Sequence, residues 1–233
     1  EYPYCFHTLS NGIRLVHRYT PSIVSHCGLT IGVGSRDEKL SENGTAHFVE
    51  HCLFKGTSKR KAYRILDCID GVGGELNAFT TKEETCVYGL YLEQYHERFL
   101  ELLADIVFHS TFPEQAIEKE KEVILDEINS YMDTPSEQIF DDFEYRLFGN
   151  RGLGRMILGT PDKVKAMTRE RLQDFVRANY TTDNMVVSTI TSIPADKWFA
   201  LCEKHLGKEP KTERTNKRSS IGIYKPTYKC IDR

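Results

Sequence analysis

The chain has 233 residues, of which 39% are hydrophobic and 28% charged, enough to build a sizeable core in an ordinary water-soluble fold. A formal net charge of -3 gives no footprint for nucleic acid or an anionic membrane, and no apolar run reaches the length of a membrane span. Seven scattered cysteines without a CxxC pair match neither a disulfide framework nor a zinc ribbon, so a reducing compartment, the cytoplasm first, is expected.

The chain opens on a hairpin signal. Asn11-Gly12 favours a two-residue turn, and behind it Ile13, Leu15 and His17 alternate with Arg14, Val16 and Arg18. A second extended stretch, Ile23 to Val33, closes at Gly34-Ser35. At Asn43-Gly44-Thr45 the period changes, and Ala46 to Lys55 reads as a short helix ending before Gly56. Ala46, Phe48, Val49, Cys52, Leu53 and Phe54 leave that helix little polar face, so burial is expected. A helix from Ala62 to Ile69 leads through Gly71-Val72-Gly73-Gly74 into two strands, Glu75 to Thr81 and Thr85 to Leu92. Long helical patterns follow at Gln94 to His109, Pro113 to Met132 and Pro135 to Phe148, with both prolines suited to first helical positions. Thr160 and Thr168 are candidate N-caps of two shorter helices.

The remainder predicts a strand at Met185 to Thr191, a helix at Pro194 to Leu206 and a last short strand at Ile221 to Tyr224. Between the last two, Lys208 to Ser220 is polar and is the candidate mobile loop. Its Lys208, Lys211, Arg214, Lys217 and Arg218 read as a solvated surface run rather than a binding patch. This order of elements predicts an α+β fold, one domain over residues 1–233, with helices packed on one face of a mainly antiparallel sheet.

The chemistry concentrates in His47-Phe48-Val49-Glu50-His51. On a helix, positions i and i+4 differ by about 40° around the axis, so the two imidazoles project from one face, a turn apart, and can grip one metal ion. Glu50 lies about 60° to the other side of His47, where a carboxylate reaches a water without being a ligand. This is the inverted counterpart of the HExxH arrangement. A catalytic zinc needs a third protein ligand and an open position. The pattern from Pro113 to Met132 offers two carboxylates: Glu120 and Glu127 flank the apolar stripe of Ile117, Ile124, Ile128 and Tyr131, while Lys119, Glu122, Asp126 and Asn129 face away. Such a pair is either a salt-bridged helix flank or a source of the third ligand.

The series Gly34-Ser35-Arg36, Glu38, Gly44-Thr45-Ala46-His47-Phe48-Val49-Glu50-His51 and Phe54-Lys55-Gly56-Thr57 closely resembles the M16 peptidases. That family includes the pitrilysins, the insulin-degrading enzymes and the β subunit of mitochondrial processing peptidase. The resemblance continues through Gly73-Gly74-Glu75-Leu76-Asn77-Ala78-Phe79-Thr80, Glu120 to Ile128, Leu153-Gly154, Ile157-Leu158-Gly159, Tyr180 and Asn184-Met185. Arg151-Gly152 departs from it, standing where members often have His-Pro.

The resemblance implies one zinc per chain held by His47, His51 and Glu127, with Glu50 as general base. It implies that Glu120 touches a ligand rather than the metal, and that Asn77 and Ala78 belong to a strand edge that pairs with the peptide substrate. It covers only the zinc-bearing one of two similar halves, which implies a second M16-like half as partner and some self-association of this one alone. The function expected is zinc-dependent hydrolysis of bonds in peptides or unfolded segments. The alternative is a non-catalytic subunit that holds substrate or structure in an M16-like complex. Retention of all four site positions favours the enzyme.

Overall fold

In the computed structural model, which describes residues 2–218, 220, 221, 226 and 228, the opening hairpin forms as the Asn11-Gly12 turn predicts. Its strands β1 (Tyr4–Thr8) and β2 (Arg14–Tyr19) pair antiparallel, Tyr4 opposite Arg18. Gly12 adopts a φ of 99°, a conformation that favours glycine at that corner. β3 (Val24–Ile31) follows, then α1 (Thr45–Leu53), α2 (Ala62–Asp70), β4 (Glu75–Thr80) and β5 (Thr85–Leu92). Three long helices come next: α3 (His96–His109), α4 (Glu114–Met132) and α5 (Pro135–Phe148). The short α6 (Pro161–Lys165) and α7 (Arg169–Asn179) precede β6 (Met185–Thr191) and α8 (Ala195–Cys202), which runs on as a π-helical turn over Glu203–Gly207.

The six strands form one sheet in the order β1-β2-β6-β3-β5-β4. Every pairing is antiparallel except that of β2 with β6, so the sheet is mixed but mainly antiparallel. Along β3 the residues Ser25, Cys27, Leu29 and Ile31 are buried, while Val24, His26, Gly28 and Thr30 alternate on the other face. The buried face receives α1, α2, α3 and α8, and their apolar stripes close one continuous core. The opposite face carries no helix among the described residues, and it leaves Phe6 72% and Ile190 39% exposed. β4 lies at the end of the sheet, beside α1.

Three local expectations shift. Pro113 caps α4 instead of occupying its first turn, because its ψ of 132° is extended. Thr160 starts α6 without a side-chain cap, whereas the Thr168 hydroxyl accepts the Arg171 N–H as predicted. The segment read as a mobile loop is irregular but strapped down. Arg214 and Arg218 both reach Asp37, at 2.6 and 2.8 Å, and Thr212 bonds Thr182 at 2.9 Å. The basic run is therefore partly spent on an internal acid, which composition alone could not show. The predicted strand at Ile221 to Tyr224 lies, beyond its first residue, outside the described residues.

Candidate metal centre

α1 is buried for the reason its composition predicts. Thr45 to Val49, Cys52 and Leu53 are all buried, and Phe48 alone is worth about 1.5–3 kcal/mol of burial. The helix packs against α4 and α7 as well as β4, so its orientation is fixed from three sides. Its start is unusual. Gly44, the N-cap, has a φ of 96° and no side chain with which to cap. Glu38 takes over: its carboxylate accepts the Gly44 N–H at 2.9 Å, the Ala46 N–H at 2.7 Å and the Asn43 side-chain amide at 3.0 Å. These are the donors that a helix start leaves without partners, and a carboxylate also suits the positive end of the dipole. Burial nonetheless pushes the Glu38 carboxyl up to about 7, against the donors that favour its charge.

A second chain segment closes on the same helix start. Gly44 and Gly159, with φ of 96° and 79°, cross back to back. A Cβ on Gly44 would lie 2.8 Å from the Leu158 carbonyl, and one on Gly159 would lie 2.6 Å from that of Asn43. Neither position has room for a side chain.

With α1 fixed, the sequence-predicted residues converge. His47 is 7% exposed and lies beside His51, their ring centroids 4.6 Å apart. Across from them on α4 stands Glu127, with Oε1 3.6 Å from His47 Nε2 and Oε2 3.4 Å from His51 Nε2. One ligand atom from each residue falls within 4.8 Å of the others, and this is the one His/Cys/Asp/Glu group of that kind among the described residues. Four ligand atoms about 2.0–2.2 Å from a tetrahedral zinc stand roughly 3.3–3.6 Å apart, and the two imidazole–carboxylate distances, each to its own oxygen of Glu127, fall in that range. Two imidazoles and a carboxylate are also a donor set that suits zinc.

The electrostatics agree with the geometry. The adjoining His47 and His51 imidazoles hold the Glu127 carboxyl well below the usual carboxylate range. Burial opposes charge on His51, but the Glu127 and Glu120 carboxylates outweigh it and raise its pKa. Glu120, two turns before Glu127, is 7% exposed and its Oε2 lies 3.1 Å from His51 Nδ1. Its other oxygen meets the Lys55 ammonium at 2.7 Å. Glu50 sits on α1 near enough to bear on the charge of His51, but it is not part of the triad.

Asn77 and Ala78 fall on the sheet's terminal strand, β4, as the strand-edge expectation requires. Ala78 pairs across with Val87, on the helix-bearing face of the sheet. Asn77 pairs with Tyr88 on the other face, and its Oδ1 accepts the Ala78 N–H at 2.8 Å. Two residues given no role in the sequence reading now have contacts at the site, Lys55 and Glu38. Lys55 stands four positions after His51, so helical spacing could have flagged it. Glu38 carries no local signal, because its partners lie beyond a turn.

Known proteins resemble this chain in sequence and fold. The profile of the insulinase family, peptidase family M16, matches residues 14–161, and that of the M16 inactive domain matches residues 166–232. An uncharacterized zinc protease of Mycobacterium leprae is 42% identical over 204 residues, covering 87% of this chain and 46% of that protein. The β subunit of the mitochondrial processing peptidase of Neurospora crassa is 34% identical over 222 residues, covering 95% of this chain and 47% of its own. The chain thus spans about half the length of the curated relatives it matches. The crystal structure of a protease from Helicobacter pylori superposes with a TM-score of 0.86 over 95% of this chain and 54% of that one; at 23% identity this likeness speaks for the fold alone. The profile match over most of the chain, together with the shared fold, places this protein in the M16 peptidase family.

Proposed function

We propose that this chain is the zinc-bearing half of a metalloendopeptidase that hydrolyses bonds in peptides or unfolded segments. The observation that carries the reading is the convergence of His47, His51 and Glu127, with one ligand atom of each within 4.8 Å of the others. A zinc ion bound there would lower the pKa of a water towards neutrality and polarise a scissile carbonyl. The chain's own residues do the rest. Glu50, on the ligand helix but outside the triad, takes the proton of the attacking water and returns it to the leaving amine. Glu120 holds the His51 ring in orientation through Nδ1. The edge of β4 at Asn77 and Ala78 aligns the peptide as an added strand, through main-chain hydrogen bonds.

The remaining length of the relatives supports a second half that completes the grip on substrate. An edge strand alone holds a flexible peptide weakly, since the peptide must give up its conformational freedom. Residues 1–233 alone therefore take up one zinc, cleave poorly and tend to self-associate through exposed apolar surface such as Phe6 and Ile190. The test is Glu50→Gln in the full-length protein. It keeps its zinc and loses turnover by about 100- to 10,000-fold, because a base is removed and no ligand. Zinc lost together with turnover would show that Glu50 is a ligand. Equal zinc content in wild type and His51→Ala would sink the site assignment altogether.

A further inference from the structure

We propose that Lys55 is a positioning residue of this centre, fixing the His51 ring through Glu120. The inference rests on the reading of His47, His51 and Glu127 as metal ligands. Lys55 stands just beyond the end of α1, its N–H bonded to the Cys52 carbonyl at 3.2 Å, so its backbone is held by the helix that carries His51. Its ammonium lies 2.7 Å from Glu120 Oε1. The Glu120 side chain is only 9% exposed, and a carboxylate that deep needs a partner for its charge. Among the ion pairs of Glu120, Lys55 is the permanent cation, because His51 is charged only when protonated.

The geometry divides the carboxylate into two tasks. Oε1 is taken by the ammonium, which leaves Oε2, 3.1 Å from His51 Nδ1, to accept the ring N–H. With the proton on Nδ1, the lone pair sits on Nε2, the nitrogen that faces Glu127 at 3.4 Å. Without Lys55 the carboxylate is free to rotate, and that releases the constraint on the ring. Lys55 touches no ligand and no substrate; it acts through Glu120.

A simple Coulomb argument predicts the opposite sign, which makes the proposal sharp. Deleting a nearby positive charge should tighten the binding of a cation, whereas deleting a positioning residue should weaken it. The experiment is competition for zinc against a chromophoric chelator, in the full-length protein carrying Lys55→Met, Lys55→Gln or Lys55→Arg. Lys55→Met weakens zinc about tenfold, the lower end for loss of a partner one step removed from a ligand. Lys55→Arg, which still donates to the carboxylate, restores affinity to within about threefold of wild type. Zinc binding unchanged or tightened in a folded Lys55→Met protein overturns the proposal. Should Lys55→Met fail to fold, Lys55→Gln, which loses the charge and keeps only a shorter, weaker donor, weakens zinc more than Lys55→Arg does, and binding unchanged or tightened in Lys55→Gln overturns the proposal. A wild type that takes up no zinc would overturn the reading of the site and the role of Lys55 with it, whereas a wild type that binds zinc no more tightly than Lys55→Met would overturn the role of Lys55 alone.

Discussion

Glu120 and Glu127 are the same residue on the same flank of α4, two turns apart, and their surroundings give them opposite tasks. The Glu120 side chain is 9% exposed, with one oxygen on Lys55 and the other on His51 Nδ1. That of Glu127 is 43% exposed, has no lysine or arginine ion partner among the described residues and sits against Nε2 of both imidazoles. A carboxylate tied to a lysine ammonium is suited to orient a neighbouring ring, whereas one that faces only imidazole nitrogens at about 3.5 Å is suited to share an ion with them.

Removing each carboxylate is the way to break this comparison. Glu127→Gln should cost the most, weakening zinc by more than about 100-fold, beyond the range for residues that only touch a ligand. Glu120→Gln should cost about 10- to 100-fold, and the retained zinc should still support turnover in the full-length protein. Equal losses in the two variants, or the reverse order, measured by chelator competition, would show that the assignments are exchanged.

The smallest effect is on the stability of the metal-free protein. His51 is raised above 6.5, so its contribution is complete below that value and is lost as pH rises through the folded value. Glu127 is lowered from 4.5, so its contribution is present above that value and is lost as pH falls through the folded one. The pair therefore stabilises most between 4.5 and 6.5. The 43% exposure of the Glu127 side chain keeps the gain small through solvent screening. Between about pH 6 and pH 8, metal-free wild type should lose about 1–3 °C of Tm that Glu127→Gln does not lose. Parallel melting curves for the two proteins would remove the ion-pair account of their coupling.

The same two carboxylates mark where the sequence stops being legible. His47 and His51 could be read as a pair because helical geometry alone puts positions i and i+4 on one face. Glu50 could be separated from them by the same rule. For Glu120 and Glu127, helical spacing showed only that both flank the apolar stripe; which of them meets the imidazoles depends on how α4 lies across α1, a tertiary fact. The motif resemblance chose Glu127, and the packing agrees. In the fold, the Asn11-Gly12 turn and the alternation of Ile13, Leu15 and His17 behind it announced the opening hairpin. The parallel pairing of β2 with β6 joins segments far apart in the chain, and nothing local announces it. Arg214 and Arg218 read as solvated because charge runs usually are, and Asp37, the acid that holds them, lies too far back in sequence to be matched by pattern.

The crossing of Gly44 and Gly159 also has a meaning in time. The seat of α1 is finished only when the backbone at Leu158 and Gly159 arrives against it, and Glu127 joins from α4 in between. On a ribosome adding about 5–20 residues per second, α1 is made on the order of ten seconds before that closing segment. Until Glu127 has also been made, the two histidines would be a bare imidazole pair on a helix without its lock. An ion captured then would be held by two ligands and could leave again, so lasting occupancy belongs to the finished domain rather than to the nascent chain.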